Sequence, residues 1–512
     1  MTPPLRHPPS NLIDGQWHAL TGSVLESRNP ARPEQVVWRG TSPMDHVALA
    51  VTSARRALPA WVRMGLEGRS RVLRRFQQLA GQRTDDLAGL ICNEVGKVLW
   101  DAKAEAALLG SKVDITLETG PHAAMGRVTD FSLGLSATRT GRCTFRPHGV
   151  AAVLGPFNFP MHLPNGHIVP ALAMGNTIVF KPSDKAPACG QALAELFDEA
   201  LRSAGAPPGV FNLVQGGADV AQALVSPTSD IDAVYFTGSW PVGRAIMQAN
   251  LDRPGRLLAL EMGGNNAAII MQDADLRQAV LESVRSAFVG TGQRCTCTRR
   301  IIVHEAVAAR VVPAICKAAS ALVLGDPRAA HPVFLGPVVS QAAREHILSQ
   351  FAAFVSSGAR VLVQPAKVDS PTASSGWFLS PGILRVDRFT GTPADDIEVF
   401  GPVLRISTCT DIGDAITQAN ATKFGLAASI FTRDAVATDR FLHEARAGCL
   451  NVNTGTAGAS SKLPFGGLGL SGNHRPAGSF SLDYCAFPVA SMVESSHAAP
   501  LPIGMTFDDA WL

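Results

Sequence analysis

The sequence predicts an α/β fold with two doubly wound parallel sheets. Short apolar strands alternate with helical stretches from residue 149 to 256, and the same alternation starts again after Arg256. That pattern covers both faces of a parallel sheet with helices. Glycine turns close several of the strands, as in Gly155-Pro156 and Thr237-Gly238-Ser239. At 512 residues the chain also exceeds what one core usually serves, so two or more domains are expected.

Taken in order, residues 12–18 form a hairpin turn between two short strands. From Asp45 to Leu109, alanine, leucine and valine recur every three or four residues, which predicts helices. Residues 125–148 alternate polar and apolar and predict strands, and 149–154 is a short buried strand. The first α/β series has strands at 177–180, 210–214 and 233–236, with helices at 188–204 and 217–225 between them. The second has strands at 257–261 and 267–271, a helix at 274–288, a strand at 299–303 and a helix near 306–322. The stretch 482–493 is an edge strand beyond both units. Two such units in succession imply a cleft between them, the usual place for a ligand.

Apolar residues make up 46% of the chain and charged residues 17%, which suits a well-buried enzyme and excludes a disordered chain. The formal charge is +3, without a basic block or an interleaved aromatic stripe, so a nucleic-acid partner is not expected. Met1–Ser10 is proline-rich and lacks a signal core, and no run of about 18 apolar residues occurs, so no membrane span is expected. Nine scattered cysteines indicate reduced thiols and a cytoplasmic setting. Cys295 and Cys297 are the one close pair. No His/Cys cluster accompanies them, so no metal site is expected and Cys297 is a packed small residue.

Two strings carry the chemistry: Leu260-Glu261-Met262-Gly263-Gly264 and Gly292-Gln293-Arg294-Cys295. Covalent catalysis through sulfur needs a thiolate to attack and a base to activate water for release. Cys295 follows a glycine loop, where Arg294 beside it is expected to lower the thiol pKa. Glu261 ends the apolar strand 257–260, and such neighbours raise a carboxyl pKa toward a base's working range. Asn158 sits in the rigid turn Gly155-Pro-Phe-Asn158-Phe-Pro160, from which its amide can donate to an oxyanion. Gly238-Ser239, followed by Gly243, forms a turn able to offer backbone N–H groups to a phosphate. The Gly-x-Gly-x-x-Gly fingerprint is absent there. Lys181-Pro182-Ser183 places a cation at a strand end.

Together these residues resemble the aldehyde dehydrogenase superfamily over nearly the whole chain. Further shared strings are Glu94-Val-Gly-Lys97, Arg146-Pro-His-Gly-Val150, Gly175-Asn-Thr177, Glu398-Val-Phe-Gly-Pro402 and Pro464-Phe-Gly-Gly467. The resemblance implies Cys295 as nucleophile, Glu261 as hydrolytic base and Asn158 as oxyanion donor. It implies NAD as cofactor: Lys181, with Ser183 and Asp184, at the adenosine ribose; Gly238, Ser239 and Gly243 at the pyrophosphate; Glu398 at the nicotinamide ribose; and Phe400 near the nicotinamide. The implied domains are a nucleotide-binding domain (1–124 and 147–256), a catalytic domain (257–460) and a small β oligomerisation arm (125–146 and 480–496). Residues 461–479 return to the nucleotide-binding domain and 497–512 form a tail. The arm would complete a partner's sheet, giving a homodimer or a dimer of dimers.

A narrower resemblance is to N-succinylglutamate 5-semialdehyde dehydrogenases of the arginine succinyltransferase pathway. It rests on residues 162–170, 293–299 and 471–476, with Asp483-Tyr-Cys485. An acidic semialdehyde calls for fixed donors or cations, with Arg294, His162 and the loop Gly455–Ser461 (including Ser460 and Ser461) as candidates. His474 and Arg475 are equally read as ties for the tail. Asp184 stands where the family often has Glu, and still disfavours a 2′-phosphate. Other readings are a dehydrogenase for glutamate or succinate semialdehyde, or a non-catalytic nucleotide-binding relative.

Overall fold

The structure, a computed structural model, describes residues 5–120, 122–368 and 376–512; the first four residues of the proline-rich N-terminus lie outside it. Two seven-stranded sheets dominate. The first runs in the order Leu257–Met262, Ala233–Gly238, Val150–Leu154, Thr177–Lys181, Phe211–Leu213, Ser10–Ile13, Gln16–Ala19. Its first five strands are parallel, and the hairpin 10–19 adds antiparallel at the far edge. Asp14 and Gly15 both take positive φ (53° and 70°) in that hairpin's two-residue turn, a geometry that fits the right-handed strand twist.

The second sheet runs Arg360–Val363, Gly382–Arg385, Val403–Cys409, Thr298–His304, Asn266–Ile270, Ala427–Phe431, Cys449–Val452. Here one expectation fails. The strand at 257–262 does not open the second series; it pairs in parallel with Ala233–Gly238 and closes the first sheet, so the second sheet begins at Asn266. Both strands are short apolar runs, and nothing in such a run tells which neighbour it will join.

The expected helical region holds four helices, Asp45–Arg63, Gly65–Gln82, Thr84–Val95 and Leu99–Leu117. A further helix, His162–Met174, is absent from the sequence reading. It is buried around most of its circumference and so carries no amphipathic stripe. A separate three-stranded sheet joins Ala486–Glu494, Arg139–Pro147 and Phe131–Gly134 in that order. No helix among the described residues is long and apolar enough to cross a membrane.

Candidate active site

The site forms where strands of the first sheet end and strands of the second begin. Glu261 lies in the last turn of its strand, Asn158 follows Val150–Leu154, and Cys295 precedes Thr298–His304. The loop before Cys295 is tightly wound: Gly290, Thr291 and Gly292 have φ of 62°, 56° and 70°. A Cβ at Gly292 would collide with the Gly401 carbonyl, so only glycine lets the two loops touch. The threonine in this left-handed run is steadied by its own hydroxyl, which donates to the Gly336 carbonyl (2.9 Å).

Three side chains lock the nucleophile loop, and the sequence reading named none of them for this task. Asn266 donates through Nδ2 to the Cys295 carbonyl (2.7 Å) and the Cys297 carbonyl (2.9 Å). Buried Arg299 donates to the carbonyls of Gly292 (2.6 Å), Arg294 (2.9 Å) and Gly401 (3.2 Å), joining this loop to the one bearing Glu398 and Phe400. Thr456 donates to the Thr296 carbonyl (2.7 Å). The available signal was a pair of arginines, Arg299-Arg300, running into the apolar stretch Ile301-Ile302-Val303 of a buried strand, where a charge must find several acceptors.

Glu261 is 1% exposed, and neither of its carboxyl oxygens has a hydrogen-bond partner among the described residues. Burial pushes its pKa up to about 8, with the nearby Glu398 adding to the rise and the Cys295 thiol opposing it. Cys295 keeps part of its surface open, but burial and the charges of Glu261 and Glu398 raise its thiol well above the ordinary value. The expected help from Arg294 does not materialise. That guanidinium is held by Asp101 at 2.6 Å, and its pull falls on Cys297, where with Arg299 it only partly offsets the rise caused by burial. Before substrate binds, Cys295 and Glu261 therefore both hold their protons at neutral pH, and Glu261 becomes a base as pH rises toward 8.

Glu261's titration has a stability signature. Its folded-state pKa of about 8 exceeds the usual 4.5, so the folded protein holds this proton more tightly than the unfolded chain does. The contribution is full below 4.5 and is lost as pH rises through 8. Glu261→Gln should therefore gain in melting temperature relative to the wild type between pH 5 and pH 9. A difference that stays constant across that range would refute the raised pKa.

Asn158 is 8% exposed and lines a pocket with Phe157, Lys97, Gln293 and Arg294. Its loop is held from below. Buried Lys97 and Glu105 form a 2.5 Å ion pair, and Glu105 also accepts the N–H groups of Met161 (3.1 Å) and His162 (3.2 Å) at the start of helix 162–174. Lys97 Nζ also lies 3.4 Å from the centre of the Phe159 ring, beside Asn158. The string Glu94-Val-Gly-Lys97 was legible, but its link to Asn158 was not.

On the cofactor side, Glu398 Oε1 accepts the Gly264 N–H (3.0 Å), and a Cβ at Gly263 would collide with this carboxylate. Phe400 packs edge-on to Phe157 with ring centres 5.9 Å apart. Lys181 is buried rather than solvated; it donates to the Pro182 carbonyl (2.9 Å), and burial lowers its pKa to about 8 against the pull of Asp184 and Asp219. Burial raises the pKa of Asp184, but Lys185, at 2.8 Å, and Lys181 bring it below its usual value. Ser183 Oγ points to Asp184 (3.4 Å). Gly238 ends its strand, and exposed Ser239 precedes helix Trp240–Ala249 without capping it. Gly243 has a packing duty, since a Cβ there would strike the Met262 sulfur. Thr237, across the sheet from Glu261, shares a hydrogen bond with His167 Nε2 (3.1 Å), whose Nδ1 meets the Tyr484 hydroxyl (2.7 Å).

The substrate-side candidates fare unevenly. His162 is held neutral, its pKa driven down to about 3 by burial and by Lys112 and Lys97, so it cannot serve as a cation at neutral pH. Gly455 N–H already binds Glu282 (3.1 Å), which removes the first donor of the supposed anion nest. Ser460 is exposed and accepts the Lys462 N–H (3.3 Å), while Ser461 is half-buried. Arg475 donates to the Gly467 carbonyl (2.8 Å), a structural tie.

The aldehyde dehydrogenase family model matches residues 17–487. An N-succinylglutamate 5-semialdehyde dehydrogenase from Caulobacter vibrioides is 42% identical over 94% of this chain and 96% of its own. An NAD-dependent aldehyde dehydrogenase from Sinorhizobium meliloti superposes with a TM-score of 0.88 at 28% identity, covering 97% of this chain and 96% of that one. An E. coli enzyme described as NADP-dependent superposes with a TM-score of 0.86 at 31% identity, covering 96% and 100%.

Proposed function

Because this chain belongs to the aldehyde dehydrogenase family, we propose that it oxidises an acidic semialdehyde to the carboxylic acid with NAD. The aldehyde is N-succinyl-L-glutamate 5-semialdehyde, an intermediate of arginine catabolism. The observation that carries the reaction is the nearness of Cys295 to a buried carboxyl, Glu261, whose charge raises the thiol and whose own pKa of about 8 suits a base. Support for the substrate comes from the 42% identical relative.

In this reading the Cys295 thiol gives up its proton to solvent as its sulfur bonds to the aldehyde carbon, and Glu261 takes no part until hydrolysis. The oxygen rests against the Asn158 amide and the Cys295 N–H. NAD, which Lys181, Glu398 and the Gly238–Ser239 turn would hold, would supply the acceptor for the hydride lost from the thiohemiacetal carbon. A thioester remains on Cys295. Ionised Glu261 then takes a proton from water, whose hydroxyl displaces the sulfur and releases the acid.

The residues fit NAD. Gly263 is bare where Glu398 stands, Lys181 brings a buried ammonium, and the turn at Gly238–Ser239 leaves helix N–H groups uncapped for a diphosphate. Asp184, kept ionised, opposes a 2′-phosphate and favours NAD over NADP. One observation favours a second reading, glutamate or succinate semialdehyde: with Arg294 neutralised by Asp101, less free positive charge faces a second carboxylate.

Comparing kcat/KM for the three semialdehydes, with NAD and with NADP, tests this assignment. We expect N-succinylglutamate semialdehyde with NAD to lead by about 10²-fold, the roughly 3 kcal/mol that one hydrogen bond to a charged group can contribute. Equal values for the three aldehydes would sink the substrate assignment and leave the reaction class standing.

A further inference from the structure

We infer that residues Ser471–Arg475 form a splint that sets the position of Glu261, with Asn473 as its principal positioning residue. The strand Leu257–Met262 is the outer edge of its sheet, so one side of its backbone lacks a partner strand. Asn473 fills that gap. Its Oδ1 accepts the Leu260 N–H (2.8 Å), its Nδ2 donates to the Leu258 carbonyl (2.9 Å) and its own N–H donates to the Leu260 carbonyl (3.0 Å). One residue thus mimics a paired strand immediately before Glu261.

Gly472 forms a single antiparallel bridge with Glu261 itself, and a Cβ there would run into the Leu260 carbonyl. On the far side, Ser471 Oγ donates to the Gly263 carbonyl (2.6 Å) while accepting the Gly425 N–H (3.0 Å). The backbone is therefore gripped before, at and after the carboxylate. The chain takes an unfavourable path to do this: His474 and Arg475, neither of them glycine, have φ of 54° and 50°. Such strain persists only where the surroundings over-determine it, and the Arg475 bond to the Gly467 carbonyl helps to hold it.

Glu261 needs the grip because neither of its carboxyl oxygens has a hydrogen-bond partner among the described residues. With no bond to fix the side chain, the backbone alone sets where the acid stands when water must be activated. The splint should therefore matter to product release and not to the first attack.

The inference rests on Glu261 being the base for hydrolysis, and the experiment separates the two. In Asn473→Ala we expect the pre-steady-state burst of NADH to remain, kcat to fall by about tenfold and kcat/KM to stay within about twofold. Ser471→Ala should show the same pattern more weakly, and it decides the matter if Asn473→Ala does not fold. An unchanged kcat, or a parallel loss of kcat, kcat/KM and burst, overturns the inference. Glu261→Gln is the control. If it lacks a burst, the base assignment itself falls; if it bursts while the splint variants do not, only the splint is wrong.

Discussion

Cys295→Ala is expected to abolish aldehyde-dependent NADH formation, with a loss of about 10³-fold or more. No second thiol can take over. Cys297, two residues on, is fully buried, with its sulfur directed to the Val289 carbonyl at 3.6 Å. Cys449 is near enough for Glu261 to raise its pKa, but it lies on the strand Cys449–Val452 and outside the nucleophile loop. The variant should fold normally, because the loop is held by Asn266 and Arg299 acting on main-chain carbonyls that alanine retains. NAD binding, followed by fluorescence quenching, should be unaffected. Turnover within tenfold of the wild type would refute Cys295 as the nucleophile.

Glu261→Gln comes next in expected effect and should separate the two halves of the reaction. Acylation followed by hydride loss should give close to one NADH per site, and steady-state turnover should fall by about 10²–10⁴-fold, the usual contribution of a general base. The wild type adds a pH signature. A base works only when ionised, so hydrolysis-limited turnover should climb as pH rises through about 8, the pKa of Glu261. Glutamine should flatten that climb. An unchanged steady state, or a pH profile that survives the substitution, would remove Glu261 from product release.

Much of this fold was legible because strands with a private pattern announce themselves. The hairpin at 10–19 and the strands at 150–154, 177–181 and 233–238 lie close to where alternation and turn residues place them. What escaped was whatever depends on partners distant in the chain. Helix 162–174 lacks a polar face, so no period marks it. The allegiance of strand 257–262 is decided by pairing with 233–238, not by its own residues. At the site, the glycine-flanked cysteine and the strand-end glutamate stood out as chemistry. The charge economy around them did not. Arg294 looked free beside Cys295 until Asp101, 193 residues away in sequence, took its guanidinium. Asn473 belongs to the same class, since its partners Leu260 and Leu258 lie 213 and 215 residues upstream.

Glu261 and Asn266 stand five residues apart on one uninterrupted stretch of chain, and Asn266 holds the carbonyl of Cys295. The acid and the thiol are thus not merely opposite one another across a cleft; they share a fulcrum. If the two sheets rock apart to admit an aldehyde or release a product, the displacement is smallest at this tether and grows toward the rim. The spacing between proton acceptor and sulfur then stays constant while the mouth breathes, and access can be tuned by distant changes without detuning the chemistry.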